Sequence, residues 1–268
     1  MIQHSQHDGI SNPKDKRISQ GIMLASDSET SLEFASILAR NEVIIRAVIL
    51  EPDTSAEMAE KIVGQFQIKP IVVFTSRPDK DSEILELVAS KEIDLLFCCW
   101  FKYRIRARLL DSLNVGAVNI HPSVLPHNKS RHSAFWGIMD ETPLGATIHW
   151  MDESFDTGDI IGQTTFENDG LISADKVYEQ QIALCVELFN EYLPRILKGN
   201  APRVQQHERG SYHYERDIVT ATRFNGSDTI TLERLVRLAR GTRIGSHGFY
   251  IRIGDREFQV SASVTEVT

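Results

Sequence analysis

Short apolar runs alternate with amphipathic segments between residues 18 and 120, and this alternation limits the possible folds more than any other feature of the sequence. These apolar runs predict buried strands at 18–25, 43–50, 70–74, 94–100 and 116–120. The segments between them carry apolar residues at helical spacing, at 31–40, 54–66, 81–91 and 106–113. Apolar strands separated by helices predict an α/β fold, with an open, mostly parallel, Rossmann-like sheet and helices on both faces.

The same pattern continues for some 80 residues more. It predicts a helix at 133–140 and strands at 146–151 and 160–166. A long amphipathic helix at 173–199 is expected to begin at the cap residue Ser173 and to end in a glycine.

The sequence becomes more polar after residue 200. It predicts one helix at 232–240 and a β-hairpin centred on Gly254-Asp255. We therefore expect a flexible polar tail, a main domain and a small C-terminal α+β subdomain, with bounds at 1–16, 17–200 and 201–268.

Charge, hydropathy and cysteine content exclude several classes of partner. The formal net charge of −8 argues against nucleic acid, and the longest apolar run, at 95–101, is too short to cross a membrane. The N-terminus lacks the basic start and apolar core of a secretory signal. The odd number of cysteines, Cys98, Cys99 and Cys185, predicts buried free thiols in a reducing compartment. We expect a cytoplasmic protein with no nucleic-acid, membrane or metal partner.

The turn after the first strand is where many nucleotide-binding sheets carry a glycine-rich phosphate loop. Here it reads A-S-D-S-E-T-S, with no glycine and two acidic residues, and no dinucleotide fingerprint or Walker loop occurs elsewhere. The predicted sheet therefore lacks the usual phosphate-binding signature, and the fold alone does not indicate a ligand.

An amide and an imidazole stand where one predicted strand stops. The stretch G-A-V-N-I-H-P-S-V-L-P, at 116–126, places Asn119 and His121 two residues apart before two prolines. Their side chains point the same way in extended chain, at the sheet edge where ligands gather. Such a pair suits a carbonyl that becomes a tetrahedral oxyanion. The alternative is that both side chains satisfy backbone groups of the proline turn.

An acidic turn follows the predicted strand at 146–151. H-W-M-D-E-S-F-D-T-G-D-I-I contains four carboxylates, those of Asp152, Glu153, Asp156 and Asp159. They could simply be solvated, and their spacing lacks the regular alternation of a calcium loop. A carboxylate placed near His121 would orient the imidazole and favour its protonated form.

These motifs occur in a fixed order: N-x-H-P-S-x-L-P, a tryptophan about ten residues later, G-x-T-x-H, and D-x-G-D-I-I. In this respect the chain resembles the formyltransferases that use N10-formyltetrahydrofolate, most strongly over 94–166 and more weakly over 17–200. The resemblance implies an enzyme whose catalytic set is Asn119, His121 and Asp156. One departure is Ser130, which stands where many members have a glycine.

The resemblance also implies a mechanism. Asn119 and a protonated His121 would stabilise the formyl oxygen during amine attack, while Asp156 would hold His121 and help to move the released proton. The reduced folate, a co-substrate, would lie between the loop at 99–103 and the turn at 150–156. The expected folate contacts are Trp100, Phe101, Lys102, Trp150, Met151 and Asp152. For Trp100, plain core packing is an equal alternative.

For the acceptor, the chain looks most like the nucleotide-linked amino-sugar N-formyltransferases of surface-polysaccharide (lipopolysaccharide, O-antigen) biosynthesis. Similar length and a downstream G-x-Y-H, at 210–213, favour this branch. The sugar nucleotide would lie along the loop after Pro126, and a homodimer is expected by family analogy. The expected contacts are Pro122, Ser123, Lys129, Arg131 and Tyr212, although the two cations could be plain surface residues.

Other acceptors stay open. Glycinamide ribonucleotide formyltransferases usually have a Ser/Gly-rich first turn, and methionyl-tRNA formyltransferases usually have a longer RNA-facing C-terminal domain. A formyltetrahydrofolate deformylase would carry a regulatory domain before the first strand. A hydroxylamine acceptor and a catalytically inactive ligand-binding relative complete the alternatives.

Overall fold

The computed structural model describes residues 20–90, 93–207, 209–242 and 248–265, so the predicted tail at 1–16 lies outside the described residues. Its centre is a seven-stranded sheet with the strand order β3-β2-β1-β4-β5-β7-β8. These strands are β1 (Gln20–Ala25), β2 (Ile44–Leu50), β3 (Ile71–Phe74), β4 (Leu95–Cys99), β5 (Gly116–His121), β7 (Leu144–Trp150) and β8 (Ile160–Phe166). A short β6 (Lys129–Ser130) lies outside this sheet.

The first five strands pair in parallel, as the β/α alternation predicts, and the last two are antiparallel. In β1, Ile22 and Leu24 face one helical layer, whereas Met23 and Ala25 face the other. The two layers explain why β4 is buried along its whole length. The predicted fold class is confirmed.

Helices cover both faces of the sheet. α1 and α6 pack on one face with α2, and α3 and α4 pack on the other, while α5 lies against α6. Their bounds are α1 (Glu29–Arg40), α2 (Ala56–Val63), α3 (Ser82–Ala89), α4 (Ala107–Leu110), α5 (Ser133–Met139) and α6 (Ala174–Leu197). Ser173 does occupy the N-cap position of α6, but its side chain makes no capping hydrogen bond. Gly199 follows that helix with a positive φ of 68°.

The C-terminal segment contains more structure than its polar sequence predicts. Its elements are β9 (Tyr212–His213), α7 (Glu215–Thr222), β10 (Arg223–Asn225), α8 (Leu232–Gly241), β11 (Phe249–Ile253) and β12 (Arg256–Val260). The predicted hairpin joins β11 to β12, and β10 adds a parallel third strand. Sequence reasoning missed α7, β9 and β10, because their side chains lie mostly at the surface and leave little apolar periodicity.

Regular elements of this segment contact the sheet domain at two places. α8 packs on α5, and β9 pairs in parallel with β6. The boundary predicted at residue 200 stays a prediction, since residues on both sides of it share these contacts.

The three cysteines are buried and free, as predicted. Burial raises the pKa of Cys98 to about 12 and that of Cys99 well above its ordinary value, so neither thiol is reactive at neutral pH. Among the helices that the structure describes, none is both long and apolar enough to cross a membrane.

Candidate active site

A cavity of about 460 Å³ opens beyond the carboxyl ends of β4 and β5, where open parallel sheets bind ligands. Its first wall consists of residues 100–105 and 151–155, from the loops after β4 and β7. Its second wall consists of residues 130–134 together with Tyr178 of α6.

Most of the predicted site residues line this cavity. The predicted catalytic set is there, and so are seven of the predicted binding residues. They are Asn119, His121 and Asp156, and then Trp100, Phe101, Lys102, Pro122, Arg131, Met151 and Asp152. The motifs therefore come together in space although they are separated in sequence.

Asp156 links the parts of the site. Its backbone is left-handed, with φ 56°, and its carboxylate is buried. Oδ1 accepts a hydrogen bond from Asn119 Nδ2 at 3.1 Å, and Oδ2 accepts one from the backbone N–H of Ser130 at 2.8 Å. His121 Nδ1 lies 3.7 Å from Oδ2, and His149 Nε2 lies 3.5 Å from Oδ1. One carboxylate thus joins β5, β7 and the second wall.

The same neighbours determine the ionisation of the Asp156 carboxylate. Burial by itself raises the pKa of Asp156, but the positive charge of protonated His121 and His149 and the N–H of Ser130 favour the ionised form and hold that pKa well below its usual range. The carboxylate therefore stays ionised throughout the neutral range. It acts as a fixed negative charge beside two imidazoles.

Asn119 is oriented by an antiparallel neighbour. It lies directly opposite His149 in the β5–β7 pair. His149 Nδ1 lies 2.7 Å from the carbonyl of Trp150 and must donate to it, so Nε2 is free to accept from Asn119 Nδ2 at 3.1 Å. Both N–H groups of the Asn119 amide are then engaged, one by His149 and one by Asp156.

Sequence reasoning did not include His149 in the site. It is the histidine of the G-x-T-x-H motif, and it lines the cavity in a buried position. The motif signalled it, but only the β5–β7 register shows that it faces Asn119.

His121 is buried and has a defined tautomer. Its Nε2 lies 2.9 Å from the carbonyl of Asn128, which can only accept, so Nε2 carries a proton. In the neutral imidazole, Nδ1 then has a free lone pair on the side of Asp156. The separation of 3.7 Å is too long for a direct hydrogen bond, but it is within ion-pair distance of Asp156 when the imidazole is protonated.

The first wall is fixed by ion pairs to a strand end of the same sheet. The backbone N–H of Lys102 donates to Glu51 Oε1 at 2.7 Å, and its Nζ lies 2.9 Å from Glu51 Oε2 and 3.0 Å from Asp53 Oδ2. Hydrogen bonds to Glu51 and Asp53 raise the pKa of Lys102. Glu51 is buried whereas Asp53 is exposed, so Glu51 is the stronger anchor. Arg104 Nε adds a bond of 2.8 Å to the carbonyl of Glu153.

Trp100 lies between the cavity and the core, and its predicted contact with the folate stays a prediction. It lines the cavity, where its Nε1 donates to the Tyr178 hydroxyl at 3.2 Å, and its ring lies 6.1 Å from that of Phe34 in the core. Its backbone is left-handed, with φ 70°.

The second wall and the residues just before it have an unusual backbone. Asn128, Ser130 and His132 alternate at φ 55°, 80° and 60°, a conformation that L-residues rarely adopt. Such strain persists only where the surroundings hold it, and it concentrates at functional sites. The φ of Ser130 gives a physical reason for the glycine that many relatives have there.

The G-S-Y-H segment holds this loop in place. Gly210 has φ 62°, and a Cβ there would lie 1.9 Å from the carbonyl oxygen of Pro126. Ser211 bonds to the loop at three points, through Pro126, Asn128 and Lys129. His213 stacks on Trp136 at 3.8 Å and bonds to Asp140 at 2.8 Å. Through these contacts the G-S-Y-H segment acts as a clamp that holds the second wall in place.

Two predicted binding residues lie behind the cavity instead of lining it. Trp150 is buried, its Nε1 donates to the carbonyl of Pro202 at 2.9 Å, and the Arg203 guanidinium lies over its ring at 3.9 Å. Ser123 is also buried and donates to the carbonyl of His127 at 2.8 Å. Both side chains support the site's backbone, which the motif spacing did not reveal.

Two further predicted residues do not line the cavity either. Lys129 is buried, and its Nζ donates to the carbonyl of Arg209 at 3.1 Å. Burial lowers the pKa of Lys129, although Asp156 partly opposes this. Tyr212 is exposed and packs against Tyr214. Of the two cations predicted to contact the sugar nucleotide, Lys129 and Arg131, only Arg131 lines the cavity, where it forms an ion pair of 2.9 Å with Glu215.

Among the described residues, no group of three or more His, Cys, Asp or Glu side chains is arranged to hold a metal ion. In the acidic turn, Asp152 accepts from the N–H of Ser154 and the hydroxyl of Thr157, at 3.0 and 2.6 Å. Its carboxylate therefore stabilises the turn itself.

Comparison with known proteins identifies related sequences. The chain is 30% identical over 176 residues to a methionyl-tRNA formyltransferase from Clostridioides difficile, covering 63% of this chain and 57% of that protein. It is 30% identical over 148 residues to a GDP-perosamine N-formyltransferase from Brucella melitensis, covering 55% and 56%. The chain thus spans about half the length of the curated relatives it matches.

Solved structures are similar over more of the chain. A 4-N formyltransferase from Francisella tularensis has a TM-score of 0.79 at 23% identity, covering 94% of this chain and 100% of that one. The formyltransferase PseJ from Anoxybacillus kamchatkensis, in complex with UDP-4,6-dideoxy-4-formamido-L-AltNAc and tetrahydrofolate, has a TM-score of 0.55 at 25% identity, covering 74% and 87%.

The sequence model described as "Formyl transferase" matches residues 22–185, which is more than half of the 268-residue chain. The matched range contains all of the seven-stranded sheet except Gln20 and Gly21 of its first strand, together with Asn119, His121 and Asp156. The chain therefore belongs to the formyl transferase family.

Proposed function

We propose that the chain is an enzyme that transfers a formyl group from N10-formyltetrahydrofolate to the amine of a nucleotide-linked amino sugar. The observation that carries this proposal is the convergence of Asn119, His121 and Asp156 in one cavity at the carboxyl edge of the sheet. The cavity volume lies within the range of roughly 300–1,000 Å³ that is typical of small-ligand sites.

The amide of Asn119 is the oxyanion donor in this proposal. As the amine attacks, a C–N bond forms and negative charge develops on the formyl oxygen. That oxygen replaces Asp156 Oδ1 as the acceptor of one Asn119 N–H. The second N–H remains on His149, which keeps the amide in orientation. Removal of one such donor typically lowers kcat by about 10²–10³-fold.

His121 is the proton acceptor. Its Nε2–H is committed to the carbonyl of Asn128, so Nδ1 takes the proton from the attacking amine. The imidazolium that results faces the ionised carboxylate of Asp156, which stabilises it. Collapse of the tetrahedral intermediate then breaks the bond between the formyl carbon and N10. His121 returns the proton to N10, and the products are a formamide and tetrahydrofolate.

The two walls serve different ligands in this proposal. The first wall, with Phe101, Met151 and the anchored backbone of Lys102, receives the folate. Because Glu51 and Asp53 already neutralise Lys102, its charge is not available for a phosphate. The second wall receives the acceptor, and Arg131 is its cation nearest to the cavity.

An amino sugar is favoured as acceptor by two independent observations. The PseJ structure was solved with a formamido sugar nucleotide and tetrahydrofolate, and a relative acts on GDP-perosamine. In the turn after β1, the Ser28 side chain caps α1, and Asp27, which would repel a phosphate, accepts from the N–H of Ser55. Glycinamide ribonucleotide is therefore disfavoured, because enzymes that use it resemble this chain but usually have a Ser/Gly-rich phosphate loop at this turn.

Methionyl-tRNA is the second candidate, because 30% identity extends over 176 residues of such an enzyme. The net charge of −8 opposes it, since tRNA binding depends on cationic surface.

The test is to incubate the protein with N10-formyltetrahydrofolate and a panel of acceptors. The panel contains UDP-, GDP- and dTDP-linked amino sugars, methionyl-tRNA and glycinamide ribonucleotide. We expect tetrahydrofolate release and a mass increase of one formyl group on an amino sugar. Turnover with another amine, and none with any sugar, overturns the sugar assignment. Full activity in the Asn119→Ala or His121→Ala variant contradicts the mechanism.

A further inference from the structure

A segment outside the family match passes behind the acidic turn. Residues 202–206 follow α6, and Val204 forms a two-way backbone bridge with Ile160, with N···O distances of 2.8 and 3.0 Å. The Trp150 indole bonds to the carbonyl of Pro202, and Arg203 covers its ring. We name residues 202–206 the strap. It contacts β7, β8 and the turn between them.

Gln206 is the last residue of the strap and reaches the turn directly. Its Nε2 donates to the carbonyl of Asp156 at 3.1 Å and to the carbonyl of Gly158 at 2.8 Å. The amide can lie only this way round, because the opposite orientation would set its oxygen against two carbonyl oxygens. Both of its N–H groups are therefore used on the backbone on either side of Thr157.

The oxygen of the Gln206 amide destabilises the folded protein. Gln206 Oε1 is buried and has no hydrogen-bond partner among the described residues, and such a group costs about 1–3 kcal/mol. A methionine of similar length would fill the space without that cost. The contribution of the glutamine therefore lies in its two donated hydrogen bonds.

Those bonds act where the backbone is strained. Asp156 has φ 56°, in the left-handed region, and this conformation turns its carboxylate toward Asn119 and His121. Gly158 is equally constrained, since a Cβ there would lie 2.0 Å from the carbonyl oxygen of Trp150. A donor that bridges the carbonyls of both residues holds the turn in the one conformation that presents the carboxylate.

We propose that Gln206 is a positioning residue for Asp156, and that the strap completes the catalytic site from outside the residues 22–185 that the family model matches. The expected effects on kcat rest on the proposed function. The hydrogen bonds of Gln206 to the turn do not depend on it. The proposal does not make Gln206 a catalytic residue, because the side chain does not line the cavity.

The test compares Gln206 with its neighbour. Gln206→Met removes both donors, whereas Gln205→Met makes the same change at an adjacent, exposed residue. We expect Gln206→Met to lower kcat by roughly 10–100-fold, the effect of a small misplacement, with KM for the folate unchanged. Gln205→Met should match the wild type. Gln206→Lys keeps N–H donors at this position and should recover most of the lost kcat.

A double-mutant cycle separates positioning from general structural damage. If Gln206 acts through Asp156, then Gln206→Met should cause little further loss in an Asp156→Asn background. Multiplicative losses overturn the proposal, and so does wild-type kcat in Gln206→Met. If Gln206→Met does not fold, the pair Gln206→Glu and Gln206→Lys provides the same comparison of acceptor against donor.

A readout without turnover keeps the two proposals distinguishable. The ring nitrogens of His121 and His149 both face Asp156, so their ¹H–¹⁵N NMR signals report its position. We expect these signals to shift in Gln206→Met and not in Gln205→Met. If the wild type turns over no acceptor, the proposed function fails while this result still decides the role of Gln206. Unchanged histidine signals in Gln206→Met overturn that role.

Discussion

The two walls of the cavity are built in different ways. The first wall is anchored by the ion pairs of Lys102 with Glu51 and Asp53, and Glu51 directly follows β2 of the same sheet. The second wall alternates through left-handed residues and is clamped by residues 209–215, which lie more than 75 positions further along the chain. One wall is an extension of the α/β core, and the other depends on the C-terminal segment.

Under the proposed function, this difference gives a physical reason why the acceptor can change while the co-substrate stays the same. A wall made by the core is tied to the sheet geometry and suits a co-substrate that stays the same. A wall held by a separate segment can change its loop without disturbing the strands. We therefore expect damage to the clamp to affect the acceptor, and damage to the core anchor to affect the folate.

The strongest test of this division is Gly210→Ala. The new Cβ would lie 1.9 Å from the carbonyl oxygen of Pro126, and φ is 62°, so both overlap and backbone strain must be relieved. We expect a loss of about 2–4 kcal/mol in the free energy of unfolding. KM for the acceptor should rise while the affinity for folate persists, as measured by urea unfolding, steady-state kinetics and folate titration.

Gly254→Ala is the matched control. Gly254 also has a positive φ, of 60°, but a Cβ there meets nothing within 4 Å. Its replacement should cost about 1–2 kcal/mol from backbone strain alone, with unchanged kinetics. Equal effects of the two substitutions on acceptor KM would contradict a specific clamp at Gly210.

The complementary test is Glu51→Gln on the first wall. It retains an oxygen for the Lys102 N–H but removes the buried negative charge that holds Nζ. We expect KM for the folate to rise about 3–10-fold, equivalent to losing about 1 kcal/mol, with acceptor KM unchanged. Asp53→Asn provides the control, because its 71% exposed side chain should contribute little. A larger effect from Asp53→Asn would reverse the assignment of the anchor.

The ionisation of Asp156, which lies between the two walls, can be tested by varying the pH. The pKa of Asp156 is depressed in the folded protein, so its contribution to stability is complete above the unfolded value of 3.8 and is lost as pH falls through the folded-state pKa. The free energy of unfolding of wild type relative to Asp156→Asn should therefore be higher at pH 7 than at pH 3.5. Urea unfolding at both pH values measures this, and a pH-independent difference would contradict the depressed pKa.

The contrast between the walls also separates what the sequence predicts from what it does not. The parallel sheet, the strand ends and the Asn119–His121 pair follow from hydrophobic periodicity and from the direction of side chains in extended chain. Asp156 was predicted from a family motif, since no local pattern indicates which of four acids in the turn faces inward. His149 and Gln206 contribute through strand register and a long-range backbone contact, which a single sequence does not encode locally.

The smallest expected effect is that of Ser130→Gly, which restores the glycine of many relatives. The change relieves an L-residue at φ 80° but increases the freedom of the unfolded chain, so the net gain should not exceed ~1 kcal/mol. The backbone N–H of residue 130 still reaches Asp156 Oδ2, so kcat should be unchanged. Ser133→Gly, at a helical position of the same wall, should instead destabilise the protein. If Ser130→Gly lowers kcat, then the serine side chain itself acts on the acceptor, and the second wall recognises its ligand through more than its backbone.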